Sequence, residues 1–216
     1  MKNDLFSIGP FTVHGYGLMI AIGVLSAYYM VEYRAKKKQM DWEKVFPLTV
    51  WSVLGGFLGS KILYLLTRLP DILANPALLG SSIKDGFVVY GGIIGGILTA
   101  WIYCKCTKWN FWKIFDIAMP AVAMAQGFGR IGCLLAGCCY GIEVDSANPM
   151  AIVFHNSAYA PNDVALLPTQ IISSVLDFAN CFVLLALSKK LKTDGQVASC
   201  YLIFYSIGRF VLEYFR

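Results

Sequence analysis

Charge is what this chain has least of. Only 14% of its 216 residues are charged, while 57% belong to the hydrophobic set. Soluble domains carry about a quarter charged residues and are near half apolar, so a water-soluble globule is excluded. Lys and Arg are missing altogether from residues 136–168. No cleavable leader is expected, because the first apolar run has a polar lead-in and no small-residue cleavage pattern before the next run. The chain has no extracellular domain of any size, so its seven cysteines do not by themselves imply a disulfide framework. The net charge of +5 is accounted for by basic loops facing anionic headgroups, and no nucleic-acid partner is expected.

What is present is a set of apolar runs near the ~20 residues that a helix needs to cross a hydrocarbon core about 30 Å thick. Six spans are expected at roughly 16–33, 45–66, 86–104, 115–135, 169–187 and 197–215. The expected fold class is all-α, a polytopic transmembrane helical bundle forming a single integral membrane domain over 1–216, with a long loop at 136–168. Glycines recur in Gly55-Gly56-Phe57-Leu58-Gly59 and Gly91-Gly92-Ile93-Ile94-Gly95-Gly96. In membrane helices such small residues let backbones approach closely, so these are read as packing contacts.

Basic residues mark one side of the membrane. Arg34, Lys36, Lys37, Lys38 and Lys44 follow the first span, Lys105, Lys108 and Lys113 the third, and Lys189, Lys190 and Lys192 the fifth. The other side has only Lys2, Arg68 and Lys84 in its loops. The positive-inside bias then places both termini and the 136–168 loop outside. Cys104 and Cys106, at the cytoplasmic end of the third span, are expected reduced. Cys181 and Cys200 lie within spans and read as small apolar fillers.

A few ionisable residues stand inside the apolar segments: Lys61, Arg130 and Arg209, with Glu32, Asp116, Asp177 and Glu213. Even lenient scales assign roughly 2.5 to 3.5 kcal/mol to one Arg or Asp at mid-span, so such residues mark function by default; the role of Lys61 is left open, and Glu32, close to the cytoplasmic boundary, is given none. Glu213 follows Arg209 by one helical turn and is expected to pair with it. Arg130 sits in Gly127-Phe128-Gly129-Arg130-Ile131-Gly132, where the glycines weaken a helix and leave backbone groups to be satisfied by protein, water or ligand. A guanidinium binds a phosphate through two parallel hydrogen bonds, and the available phosphate in a membrane is a lipid headgroup. Arg130 and Arg209 are therefore expected to face the outer leaflet with a phospholipid phosphate between them.

At this point the residues resemble a known family over essentially the whole chain. Five stretches carry the likeness, in order: Ser7-Ile8-Gly9-Pro10 followed by Val13-His14-Gly15-Tyr16-Gly17-Leu18-Met19; Asp85-Gly86-Phe87-Val88-Val89-Tyr90-Gly91-Gly92-Ile93-Ile94-Gly95; Gly129-Arg130-Ile131-Gly132 through Gly137 to Gly141; Pro168-Thr169-Gln170; and Gly208-Arg209 through Glu213 to Arg216. Together they resemble the prolipoprotein diacylglyceryl transferases. The resemblance implies a multi-pass protein of the bacterial cytoplasmic membrane, with an active site toward the outer leaflet. There a lipobox cysteine thiol of a secreted preprotein attacks the glycerol carbon of phosphatidylglycerol, and glycerol phosphate leaves. By motif position, Arg130 and Arg209 hold the phosphate, Tyr16 contacts the lipid or the reacting groups, and Glu213 orients Arg209. Substrate contacts also fall on Gly129, Gly132, Cys133, Gly137, Cys138, Gly141 and Gln170, with His14 a minor candidate. No cofactor is implied.

The departures from the family pattern are as specific as the matches. Tyr90 stands where the family usually has His before Gly-Gly, Cys133 where Asn is usual, Cys138 where an acidic residue is usual, and Ile172-Ser173 where a Tyr-Glu pair is common. The family generally has a seventh span, against six here. With a reference pKa near 10, Tyr90 is a poor base at neutral pH unless a cation lowers it. Three readings of Cys133, Cys138 and Cys139 stand open. One is a disulfide from Cys133 to one of the pair; another is a nucleophile activated by Arg130; the third is a metal, for which no familiar ligand spacing is seen. The alternative to the transferase is a catalytically altered paralogue that binds phospholipid or modifies another thiol acceptor, with Cys138 or Cys133 as nucleophile. A small anion transporter is disfavoured, since a pore would line several spans with polar residues.

Overall fold

The computed structural model describes residues 4–8, 11–75 and 86–216. Gly9 and Pro10 of the opening motif, Asp85 of the third-span motif, and Lys2 and Lys84 lie outside the described residues. The chain opens with an antiparallel hairpin, β1 (Asp4–Ile8) with β2 (Phe11–His14). Helices follow as α1 (Gly15–Lys37), α2 (Val45–Thr67), α3 (Leu69–Ala74), α4 (Val89–Cys106) and α5 (Phe111–Ala136). After a second small hairpin, β3 (Ile152–Val153) with β4 (Ala165–Leu166), come α6 (Thr169–Leu187) and α7 (Gln196–Glu213).

The protein is a polytopic helical membrane bundle. Among the described residues, five helices are long and apolar enough to cross a membrane: α1, α2 with its leading 3-10 turn, α4, α5 and α6. The stretch expected as a sixth span is helical, α7, with 18 residues or about 27 Å at 1.5 Å per residue, but it is not among the five helices apolar enough to cross; Arg209 and Glu213 lower its apolarity. The third span begins at Val89 rather than at residue 86. Gly86 holds a positive φ of 79° with the Tyr64 ring where a Cβ would stand, a conformation that helix geometry does not allow. The two short hairpins are additions to the expected all-α architecture.

The chain divides into two compact units, Met1–Arg34 with Phe115–Arg216, and Ala35–Ile114. In the second, α2 and α4 pack through the glycines expected to be contacts. A Cβ on Gly59 would strike the Gly91 carbonyl and one on Gly91 the Gly59 carbonyl; one turn on, a Cβ on Gly95 would strike the Gly55 carbonyl and one on Gly55 the Thr99 side chain. Larger side chains would push the backbones apart and forfeit the dispersion contacts that hold membrane helices together. Lys61, whose role was open from sequence, donates to the Gly86 carbonyl at 3.2 Å and lies over the Phe87 ring. Cys104, expected only to be reduced, is in addition buried with Leu48 and Ile114.

The first unit carries α1, α5, α6 and α7. Its core gathers Met119, Ala123, Cys181, Leu184, Val197, Ala198 and Tyr201, so Cys181 is the apolar filler expected. Two charged residues are structural. Pro120 lies inside α5 and has no N–H for the carbonyl one turn back, which is that of Asp116. Arg34 supplies the missing donor, bonding the carbonyls of Asp116 and Ile117. It is buried at 7% exposure and lies within α1 rather than in the loop after it. Asp116 in turn accepts the N–H groups of Gly195 and Ala198, each at 2.8 Å. A carboxylate on free N–H groups at a helix start is favoured by the helix dipole. For Asp116, then, the default of function gives way to a capping role.

The 136–168 segment is folded rather than a plain loop. Phe154, Ala160 and Leu166 form a small core beneath β3 and β4, and His155 pairs with Asp163 at 2.6 Å on the exposed side. It is tied back by Gly141 N–H to the Leu167 carbonyl at 3.0 Å and by Ile142 N–H to the Phe215 carbonyl at 3.1 Å.

Candidate active site

The two arginines singled out in the sequence come together. Arg130 from α5 and Arg209 from α7 line one pocket, with about 340 Å³ of empty space including its open mouth. One face of α6 lines the same pocket with Ser173, Asp177 and Asn180 at positions i, i+4 and i+7, the repeat that puts side chains on one helical stripe. Arg209 pairs with Glu213 at 2.9 Å, as their spacing predicts. Arg130 is set in a half-buried position where the field of Asp177 partly offsets its charge. The oxygen of Asn180 is shielded and has no hydrogen-bond partner. The pocket thus joins two forked cations, one buried carboxylate and an unsatisfied amide in an apolar surround, a combination suited to an anion bearing a hydroxyl.

From sequence, Asp177 is marked only as a misplaced charge and Ser173 only as a departure from the family pattern, and Asn180 is not singled out. The signal is the polar run Thr169, Gln170, Ser173, Ser174, Asp177 and Asn180 inside an apolar span, and the first five of these are buried. A polar stripe in a span turns inward, because lipid cannot satisfy it.

The glycines of the arginine motif do not break α5, which runs unbroken to Ala136. The expectation of loosened backbone fails because neighbours use the room. Gly127 faces the Phe178 ring, with its carbonyl bonded by Ser174 at 2.9 Å, and Gly132 faces Tyr16 and Met19. Gly129 alone of the three faces open space. Gly137 ends the helix with φ 73°, and the Cys138 N–H closes on the Cys133 carbonyl at 3.0 Å, the left-handed stop that favours glycine. A Cβ on Gly141 would meet the backbone of Leu167 and Phe215, so Gly141 serves packing.

Gln170 is buried to 1% exposure. Its Nε2 donates to the Cys138 carbonyl at 2.8 Å, and Thr169 Oγ1 donates to the Cys139 carbonyl at 2.9 Å. The Pro-Thr-Gln landmark therefore fastens the cysteine turn to the start of α6, which makes Gln170 a positioning residue. The Sγ atoms of Cys133, Cys138 and Cys139 all lie within 4.8 Å of one another. Burial, and then the neighbouring Cys133 and Cys139, push the Cys138 thiol up to about 12. Burial and like neighbours thus act against the thiolate at Cys138.

Tyr16, in the first turn of α1, lies within the electrostatic reach of Arg130 and of all three cysteines. His14 is exposed at the end of β2. Tyr90 belongs to the second unit, at the start of α4, and is 74% exposed.

The sequence profile described as prolipoprotein diacylglyceryl transferase matches residues 3–216. The phosphatidylglycerol-prolipoprotein diacylglyceryl transferase of Clostridium tetani is 43% identical over 216 residues, which is all of this chain and 86% of that protein. A second protein of that name from Clostridium perfringens is also 43% identical, over all of this chain and 84% of its own length. The Dehalococcoides mccartyi transferase is 30% identical over 98% of this chain and 80% of that protein.

Proposed function

This chain belongs to the prolipoprotein diacylglyceryl transferase family, and from that premise we infer that it moves the diacylglyceryl group of phosphatidylglycerol onto the lipobox cysteine thiol of a prolipoprotein, at the outer leaflet of a bacterial cytoplasmic membrane. The observation that carries this reading is the convergence of Arg130 and Arg209 on one pocket, with Glu213 bonded to Arg209. In the reaction the acceptor sulfur forms a bond to the glycerol carbon while the carbon–oxygen bond to phosphate breaks, and negative charge gathers on the departing glycerol phosphate. Two forked cations in a low-dielectric pocket stabilise that charge where it develops. Glu213 holds the Arg209 fork in plane, Tyr16 borders the reacting groups, and Tyr90 enters by motif position only. The termini and the 136–168 segment lie outside in this reading, as the positive-inside bias requires.

The test is complementation in cells depleted of their own transferase, following the mass of a lipobox reporter. The expected result is a diacylglyceryl adduct on the reporter cysteine. A well-inserted protein that leaves the reporter unmodified overturns the assignment.

A further inference from the structure

The transferase reading names no group that takes the proton of the acceptor thiol. It also leaves three sulfurs converging beside Tyr16 with no task. We propose that Cys133, Cys138 and Cys139 form a three-thiolate site for Zn²⁺ whose fourth position receives the acceptor thiol of the substrate.

The geometry suits a tetrahedral ion. With zinc–sulfur bonds of about 2.3 Å, sulfurs at tetrahedral corners stand ~3.8 Å apart, so three sulfurs no more than 4.8 Å apart close with shifts of ~0.6 Å per sulfur or less. The turn that presents them is already fastened. Gly137 and Cys139 take positive φ values of 73° and 60°, and Gln170 and Thr169 hold the carbonyls of Cys138 and Cys139. On that same Gln170 amide, Oε1 is buried with no hydrogen-bond partner, so the scaffold carries an unused acceptor beside the cluster. Soft thiolates select ions such as zinc. Three thiolates and one Zn²⁺ sum to a charge of −1, which Arg130, whose charge acts on both Cys133 and Cys139, offsets.

A disulfide uses the sulfurs less well. Cys138 and Cys139 are adjacent, and the ~3.8 Å between neighbouring Cα atoms falls below the 4.4–6.8 Å usual for a bridge. Only a bond from Cys133 remains, with the third thiol left over. Three protein ligands with one open position is instead the pattern of catalytic zinc sites.

A thiol that coordinates zinc is deprotonated outright. The acceptor thiol would bind as thiolate and release its proton to water. Its sulfur lone pair then forms the carbon–sulfur bond, and the electrons of the broken carbon–oxygen bond leave with the glycerol phosphate held by Arg130 and Arg209. This last step rests on the transferase reading; the metal site does not.

The experiment measures metal in the full chain purified in detergent from zinc-supplemented cells. About one zinc per chain is expected, with loss of tenfold or more in Cys133→Ser, Cys138→Ser and Cys139→Ser, while Cys106→Ser keeps it. Cobalt loaded into the chelator-stripped wild type should show sulfur-to-metal charge-transfer bands. A lipobox peptide should raise them by about a third, the step from three thiolates to four, and its Cys→Ser analogue should not. Because the cobalt arm uses the wild type, it holds even where a serine variant fails to fold. Metal-free protein that takes up no cobalt, or a Cys133 disulfide in the nonreduced wild type, overturns the site. Metal binding without a response to the peptide overturns the open position. Reporter lipidation that persists in metal-free serine variants sinks this inference and leaves the transferase standing; a loaded, peptide-responsive site without lipidation does the reverse.

Discussion

Replacing Arg209 by Lys isolates the fork from the charge. In the wild type, Arg209 lines the pocket and pairs with Glu213 at 2.9 Å. A guanidinium has donors to spare for both a carboxylate and a phosphate oxygen in one plane, whereas an ammonium is a point charge on a flexible stem. Losing one preorganised donor to a developing anion costs ~2.7–4 kcal/mol, or about 10²–10³ in kcat. Stability changes far less, because an exposed i, i+4 ion pair contributes only ~0.3–0.5 kcal/mol. Rate and fold therefore separate: Arg209→Lys should turn over ~10²–10³-fold more slowly with an unfolding midpoint within a few degrees of wild type. The assay is single-turnover transfer from labelled phosphatidylglycerol to a lipobox peptide in vesicles. Glu213→Gln should slow transfer about tenfold alone, yet add little to Arg209→Lys, since the two act as a unit. Activity within threefold of wild type in Arg209→Lys, or fully additive losses in the double variant, would refute the clamp.

Three further outcomes follow from the fold. Asp116→Asn removes the charge that accepts two N–H groups at the start of α7; it should destabilise the protein by ~1–2 kcal/mol, read as a lower midpoint in detergent. Gly59→Val should disrupt α2 against α4, because its side chain would meet the Gly91 backbone; loss of folded protein on gel filtration is the measure, and a stable variant contradicts the packing. In metal-free protein the Cys138 thiol, raised to about 12 from an ordinary 9.0, should react with maleimide at pH 7.5 far more slowly than the exposed Cys106. The folded state holds the neutral thiol more firmly than the unfolded one, so this contribution to stability is complete below pH 9 and is lost as pH rises toward 12. Alkaline titration of the unfolding midpoint, against Cys138→Ser, checks the sign.

The spans, the Arg209–Glu213 pair and the glycine contacts were legible in the sequence for one reason. Each is a local matter: length sets a span, one helical turn sets a pair, and small residues spaced by four mark a close seam. Tertiary structure decided what lies far apart along the chain. Only the fold brings Arg34 to the carbonyl that Pro120 leaves unbonded, and only the fold turns the polar face of α6 toward Arg130 and Arg209. The cysteines show both halves at once. Their adjacency was visible, but the convergence of three sulfurs depends on a left-handed turn and on two side chains of α6 some thirty residues later. No periodicity encodes that, because the hydrogen bonds that enforce it join segments whose separation only folding removes.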